Sequence, residues 1–531
     1  MKIAITLAAA VMTLQASAAK KYIFAGWDIS DATPAEILAN ADKFDKTGCD
    51  GVAIGLGSAF PSARNDIRKS LHVAELPRWR EENVDGLMPV FRAFGHHPSL
   101  RHSFFRVNTA QRKARLDWTD DGAWELYADN LAFAAKLAKD AGIEGLITDF
   151  EDYWKKKQSQ WREGDPEWEV AKGLARRRGR EVFSRVFAAY PKITVLTFML
   201  FTADSAYVHT KDPVACMEGK RDLWPSFVNG IYDAMPPGAK VVDGDENGGY
   251  FARASRNDFY RRACDQLVRV LPLVAPENRA KYRAQTSVSF GLYVDSYALP
   301  TNSAYYMGPV RGRRITHFED NLRQATACAD EYLWFWGERG FYVDWPVDLK
   351  EKSGNVWRSS GGGTWRRKYF EGSWGRIKPW RERLDGDFNL VLRGVKDPAR
   401  CVREEYARQK AEGAFVDLFA GKSLNVATNG NASSFIRQPK FETDGWYGLR
   451  TKGSGEVVRG NVYFQYNGSW RWKLGSAEFD FAKADADGWR DGVALVRIPD
   501  GANNLYVILD AGKDEKVRKV EFKGLEIFRI R

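Results

Sequence analysis

Eight short apolar runs punctuate the first 345 residues of the chain. They are YIFAGWD (22–28), GVAIGL (51–56), RHSFFRV (101–107), GLITDF (145–150), ITVLTFML (193–200), AKVVDGD (239–245), QTSVSFGLYV (285–294) and EYLWFWGE (331–338). Their lengths suit strands buried on both faces. Between them lie segments such as PAEILANADKFDKTG, WELYADNLAFAAKLAKDAG and NDFYRRACDQLVRVL. Their apolar residues recur at three- and four-residue spacing, the mark of amphipathic helices, and Gly48 and Gly142 stand where two of these helices would stop. Eight strand-then-helix units predict an α/β fold, a (β/α)8 TIM-type barrel over residues 20–345. A doubly wound open sheet would place a Gly-rich phosphate loop after its first strand, and here that strand runs into GWDIS.

The pattern then changes twice. Residues 346–413 are rich in Trp and Gly, end in a charged helix, DPARCVREEYARQKAEG, and read as an extension packed on the barrel. From 414 to 531, segments such as GWYGLRTKG, GNVYFQYNGSWRWKLG and NLYVILDAG alternate apolar and polar residues between Gly, Asn and Asp turns. This predicts an all-β sandwich of seven or eight strands. Its aromatics make carbohydrate binding one reading, and a ligand-free stabilising domain is the other.

The strand ends carry the chemistry. In a barrel of this kind the active site lies at the C-terminal ends of the strands. The fourth run ends in Asp149, Phe150, Glu151, Asp152, Tyr153 and Trp154. Alternation along a strand sends Asp149 and Glu151 the same way, toward the mouth. Two close carboxylates repel when both are ionised, so one is held protonated toward neutral pH, as a general acid must be. Other strand ends repeat the theme: Trp27 and Asp28; Asp243, Asp245, Glu246 and Tyr250; Asp295 and Tyr297; Trp336 and Glu338. A ring of carboxylates interleaved with aromatics suits cleavage of glycosidic bonds, which needs two carboxyl groups across an oxocarbenium-like centre. Glu151 is expected as the acid, with Glu246 or Asp149 as its partner. Trp27, Asp28, Asp152, Tyr153, Asp245, Tyr250, Asp295, Trp336 and Glu338 are expected to bind substrate, with Glu338 the next candidate for the acid. The plainer reading of any single strand-end Asp is a helix cap.

Other features change the picture less. The 531 residues suit a large domain plus a smaller one. A net charge of +11, with clusters ARRRGR (175–180) and RGRR (311–314), favours acidic polymers or is an ordinary solvated surface. No nucleic-acid-binding signature accompanies it. The first 19 residues combine Lys2, an apolar segment from Ile3 to Leu14 and small residues, which predicts a signal peptide and a secreted or periplasmic protein without a membrane span. Cys49, Cys216, Cys264, Cys328 and Cys401 are widely spaced, leaving room for one disulfide of unassigned pairing. No metal or cofactor is expected. DGDENGG (243–249) opens like a calcium loop but reaches Ala254 where a Glu is needed, and His96–His97 read as helix-end residues. No GxSxG or Ser/Tyr–His dyad points to an esterase or lyase.

With these residues in hand, the barrel resembles the (β/α)8 glycoside hydrolases. Asp149-Phe150-Glu151 is similar to the D-x-E ending of strand four in chitinase-like, substrate-assisted enzymes, although Ile147 stands where that pattern carries a further acid. The resemblance implies that Glu151 is the acid and that Asp149 supports a substrate acetamido group. Trp336 in EYLWFWGE is similar to the last-strand Trp that those enzymes place under the sugar. The expected partner is an oligo- or polysaccharide, acidic and N-acetylated ones included. The alternative is a non-catalytic glycan-binding protein on a degenerate barrel.

Overall fold

The structure, a computed structural model, describes residues 20–55, 71–72, 78–81, 84–109, 115–150, 157–247, 256–345, 378–419, 425–428, 432–437, 441–442, 444–455, 458–466, 469–470, 476–499, 501–502, 504–510 and 520–531. The expected signal peptide (1–19) and most of the Trp/Gly-rich extension (346–377) lie outside the described residues.

Eight parallel strands form the first unit: β1 (Lys21–Gly26), β2 (Gly51–Gly55), β3 (Phe104–Asn108), β4 (Gly145–Asp149), β5 (Thr194–Thr197), β6 (Lys240–Asp243), β7 and β8 (Tyr332–Gly337). β7 comes in two pieces, Thr286–Val288 and Gly291–Tyr293. Its first piece pairs with β6 through Asp243 and Val288, and its second with β8 through Trp334 and Gly291. The sheet therefore begins and ends on the same strand and closes as a (β/α)8 barrel. The break at Ser289–Phe290 does not interrupt the ladder, since Ser289 donates its N–H to Asp243 O (3.1 Å) and Phe290 O accepts from Trp334 N (3.3 Å).

Helices follow most strands: α1 (Pro34–Ala39), α2 (Met88–His96), α3 (Asp121–Ala141), α4 (Trp168–Ala189), α5 (Trp224–Ala234), α6 (Arg256–Cys264) and α7 (Arg314–Cys328). Their limits follow from local chemistry. Thr33 and Glu36 close a capping box on α1, and Asp120 caps α3, which stops at left-handed Gly142 (φ 70°).

Inside the cylinder pack Ile23, Ala53, Phe104, Ile147, Leu196, Val242, Tyr293 and Trp334, one alternate face of each strand. Trp334 takes the centre. Its Nε1 donates to Gly244 O (2.8 Å), and a Cβ on Gly291 would sit 2.4 Å from its ring. Only glycine admits an indole there.

The N-terminal end of the barrel is sealed by charge. His102 Nδ1 meets Glu144 Oε2 at 2.7 Å, Tyr332 OH donates to Glu144 Oε1 at 2.6 Å, and Lys21 lies 3.5 Å from Glu144. Lys21 and Lys240 both bind Glu331. Burial works to raise the Glu144 pKa, but these donors and charges outweigh it and hold the carboxyl at about 2.

The contact pattern divides the chain between Asn389 and Leu390. The second unit holds helix α8 (Pro398–Ala411) and two five-stranded antiparallel sheets. One is built of β9 (Asn425–Thr428), β18 (Val520–Arg529), β11 (Trp446–Ser454), β16 (Trp489–Arg497) and β15 (Asp480–Phe481). The other holds β10 (Ala432–Arg437), β17 (Asn504–Asp510), β12 (Arg459–Tyr466), β13 (Ser469–Trp470) and β14 (Ser476–Glu478). Leu449, Val496, Phe522 and Ile527 of the first meet Val462, Leu505, Val507 and Leu509 of the second in one core. Short strands and turns raise the count above the seven or eight expected. α8 sets Val402 against Val493 and Phe528, so this charged helix belongs with the sandwich. All five cysteines stand as thiols, with no disulfide among them in this structure.

Candidate active site

The C-terminal ends of β3, β4, β7 and β8 bring one continuous polar cluster to the barrel mouth. Asp149, last residue of β4 and 3 % exposed, lies 3.9 Å from the Arg106 guanidinium of the neighbouring β3. Arg106 also reaches Ser30 Oγ (3.2 Å) and stands 4.6 Å over the Trp336 ring. Phe198 meets the same indole edge-on. Trp336 is 8 % exposed and has a guanidinium over one face, which leaves little of it to a sugar. What remains is its Nε1–H, which donates to Glu338 Oε1 at 3.2 Å.

Glu338 is the chemical centre of the cluster. Tyr293 OH is 3.2 Å from its Oε2. Its own N–H donates to Asp295 Oδ2 at 2.6 Å. Burial, and then the neighbouring Asp295 carboxylate, push the Glu338 carboxyl up to about 7, against the opposing pull of Trp336, Arg339 and Tyr293. An indole N–H can only donate, so Oε1 accepts from Trp336, and Oε2 accepts from the Tyr293 hydroxyl. Asp295 is fully buried, and burial raises its pKa while Arg383, the Glu338 N–H and Arg339 oppose the rise. It sits behind Glu338, where its carboxylate accepts from the Glu338 backbone N–H.

Strand six carries a second buried acid. Val242 faces the barrel interior, so Asp243 faces outward, where Thr202 Oγ1 lies 3.3 and 3.4 Å from its two oxygens. Burial and Asp245 raise the Asp243 carboxyl to about 7. Asp245 has a positive φ of 37° and is gripped by both arms of Arg262. A non-glycine residue held there is a strained site that its partner must stabilise. Glu246 is buried, and its N–H donates to Phe198 O at 2.9 Å, which places its backbone at the end of β5. At β1, Asp28 Oδ2 accepts from Tyr342 N (3.1 Å) and Trp345 Nε1 (3.2 Å), tying the chain after β8 to the first strand.

Glu151, Asp152, Tyr153 and Tyr250 lie outside the described residues, and of Trp27 only the backbone is described. Asp149, Trp336, Glu338 and Asp295 come together; Asp28, Asp245 and Glu246 stand at other strand ends. Sequence reasoning passed over Arg106, Tyr293, Arg339 and Arg383. Arg106 was detectable, since FFRVN sets a cation on the inward face of an apolar strand. His96 ends α2, as expected of a helix-end residue, and among the described residues no group of three or more His, Cys, Asp or Glu is placed to hold a metal. The ARRRGR cluster is ion-paired: Arg176 with Asp233 and Glu277, Arg177 and Arg178 with Asp121 and Glu181. No described helix is long and apolar enough to cross a membrane.

No family model matches the chain, and no curated protein matches its sequence. Among solved structures, it is similar to an endocellulase from Pyrococcus horikoshii in complex with cellotetraose (9 % identity, 64 % of this chain and 92 % of that one, TM-score 0.34). A GH5-4 broad-specificity endoglucanase from an uncultured bacterium matches at 11 % identity over 61 % of this chain and 85 % of that one (TM-score 0.31). A sugar phosphate isomerase/epimerase from Parabacteroides distasonis matches at 11 % identity over 63 % and 95 % (TM-score 0.29).

Proposed function

We propose that the barrel hydrolyses glycosidic bonds of a complex glycan, with Glu338 as proton donor. The observation that carries this reading is the Glu338 carboxyl at the barrel mouth. It is raised to about 7 by burial and Asp295, with Oε1 accepting from Trp336 and Oε2 from Tyr293. A carboxylic acid still protonated near neutral pH can give its proton to a glycosidic oxygen, and an ionised one cannot. The second carboxylate comes from the strand ends facing it. Asp149 lies beside Arg106, Glu151 follows it by two residues in the chain, and Glu246 ends the next candidate strand. A partner roughly 5–5.5 Å from Glu338 attacks the anomeric carbon and configuration is retained; one roughly 6.5–9.5 Å away activates water and configuration inverts. We further propose export through residues 1–19, checked by the N-terminus of the secreted or periplasmic protein.

The test is turnover on cellotetraose, xylotetraose, chitotetraose and tetragalacturonate, which span neutral, N-acetylated and acidic sugars, with the anomer of the product read by NMR. Cleavage of one by the wild type, lost in Glu338→Gln, supports the reading. Tight binding with no cleavage makes the barrel a glycan-binding protein instead.

A further inference from the structure

Beyond β8 the chain comes back to the barrel mouth. Gly340–Phe341 pairs in parallel with Lys378–Pro379, and the short helical turn Trp380–Arg383 follows at once. Trp380 packs on the end of β8: a Cβ on Gly337 would stand 2.6 Å from its ring, and one on Gly340 2.3 Å. The turn is therefore held against the residue that precedes Glu338. Arg314, at the start of α7, fixes its far end, donating from Nη1 to Arg383 O (3.4 Å) and standing 3.6 Å from Asp385 Oδ2.

The Arg383 side chain sits among charges and is bound by none of them. It is part-buried, and among the described residues its buried Nε has no hydrogen-bond partner and its guanidinium forms no ion pair. Burial disfavours its charged form; Asp295 opposes this, Arg339 and Arg314 add to it, and its pKa lies below the ordinary value. Asp295, behind Glu338, feels Arg383 more than any other charged group. Tyr293, whose hydroxyl donates to Glu338, lies within its reach too. Arginines shielded elsewhere in the protein are answered directly: Arg178 meets Asp121 and Glu181, Arg262 meets Asp245, and Arg393 meets Glu405. A guanidinium keeps its charge near neutral pH, so it cannot escape burial by losing a proton. A cation taken out of water needs an anion beside it.

We infer that Arg383 binds a carboxylate of the glycan, carried by the sugar ring adjoining the bond that Glu338 protonates, so that the substrate is a chain containing uronic acid. This rests on the reading of Glu338 as the acid. The forked guanidinium matches a carboxylate with two parallel N–H···O bonds. A neutral sugar in the same place would shield Arg383 further and leave it unanswered, so the residue discriminates against neutral chains as well as for acidic ones.

Binding is measured by calorimetry on the Glu338→Gln protein with tetragalacturonate, tetramannuronate and a hyaluronan tetrasaccharide, each beside its carboxyl-reduced, neutral counterpart. At least one acidic tetraose is expected to bind, and its reduced form to bind roughly 10–100-fold more weakly, the range of a hydrogen bond to a charged group. Arg383→Gln, added to the same protein, is expected to weaken the acidic tetraose by a similar factor and to leave the reduced one within about twofold. Arg383→Lys, which keeps the charge and loses the fork, should fall between. The comparison of acidic with reduced ligand needs no change at residue 383, so it decides the matter even where a variant folds poorly. Failure of every acidic tetraose to bind overturns the inference, as does equal affinity for acidic and reduced forms. An Arg383→Gln protein that binds the acidic tetraose as the parent does, or that loses both forms alike, also overturns it. Turnover judges the acid separately. If Glu338→Gln still cleaves the tetraose that Arg383 selects, Arg383 stands and the acid lies elsewhere. If Glu338 is needed to cleave a neutral tetraose and no acidic one binds, the acid stands and Arg383 falls.

Discussion

Strand β8 ends in a part-buried acid network at each pole of the barrel, and the two networks drive their carboxyl groups in opposite directions. At the N-terminal pole, Tyr332 donates to Glu144, with His102 and Lys21 alongside. At the C-terminal pole, Trp336 donates to Glu338, with Asp295 behind it. Burial penalises the charged form at both. Glu144 is surrounded by donors and cations, so the anion wins and the pKa falls to about 2. Glu338 has a second carboxylate for a neighbour, so the neutral acid wins and the pKa rises to about 7. The first arrangement can stabilise a fold and cannot donate a proton at neutral pH. The second costs stability and can.

The comparison breaks most sharply at Glu338. Replacing it by Gln should cut turnover of the cleaved tetraose by roughly 10²–10⁴-fold, the range of general acid catalysis, and leave the folded state intact by circular dichroism. Glu144→Gln should do the reverse, sparing turnover per folded molecule and lowering stability. A carboxyl whose folded pKa lies below its unfolded value stabilises the fold above the unfolded pKa, and that contribution fades as pH falls from about 4.5 toward 2. At roughly 1.4 kcal/mol per pH unit it is worth about 3 kcal/mol at neutral pH. Urea unfolding at several pH values reads it: the wild type should lose stability across that window and the variant should not.

Asp295→Asn sharpens the contrast, since it removes the neighbour that separates one pole from the other. Glu338 must be protonated to act, so wild-type activity should fall as pH rises through about 7. The variant's fall should begin at lower pH, and a shift of about one unit would cost roughly fivefold in turnover at pH 7. A pH–rate profile measures it, and an unmoved alkaline limb would remove Asp295 from the account. Trp336→Phe should have the smallest effect. It deletes the donor to Oε1 while keeping an aromatic under Arg106, and one hydrogen bond of this kind changes turnover by less than about tenfold.

The eight barrel strands were legible in the chain because each is an apolar run of strand length between helical segments, and each observed strand falls within or overlaps its run. The break in β7 was not, since SVSFGLY reads as one run; the need for glycine against Trp334 appears only once the indole is placed. The acid ring at the strand ends was legible in the same way, through alternation. Which member would hold a proton was not. That depends on Asp295, 43 residues from Glu338 in the chain (338 − 295), and on strand pairing that brings the two side by side. The Trp336 expectation shows the same limit. Its position at a strand end was visible in the sequence, but the guanidinium over its face comes from β3.

The central claim is that Glu338 is a neutral carboxylic acid near pH 7. Infrared difference spectroscopy tests it most directly, by comparing wild type with Glu338→Gln across a pH titration. Asp243, also raised to about 7, is present in both proteins and cancels in the difference. The account predicts a protonated-carboxyl band, present only in the wild type, that disappears as pH rises through about 7. A difference band that vanishes near pH 4, the ordinary range of a glutamate at about 4.3, would contradict it.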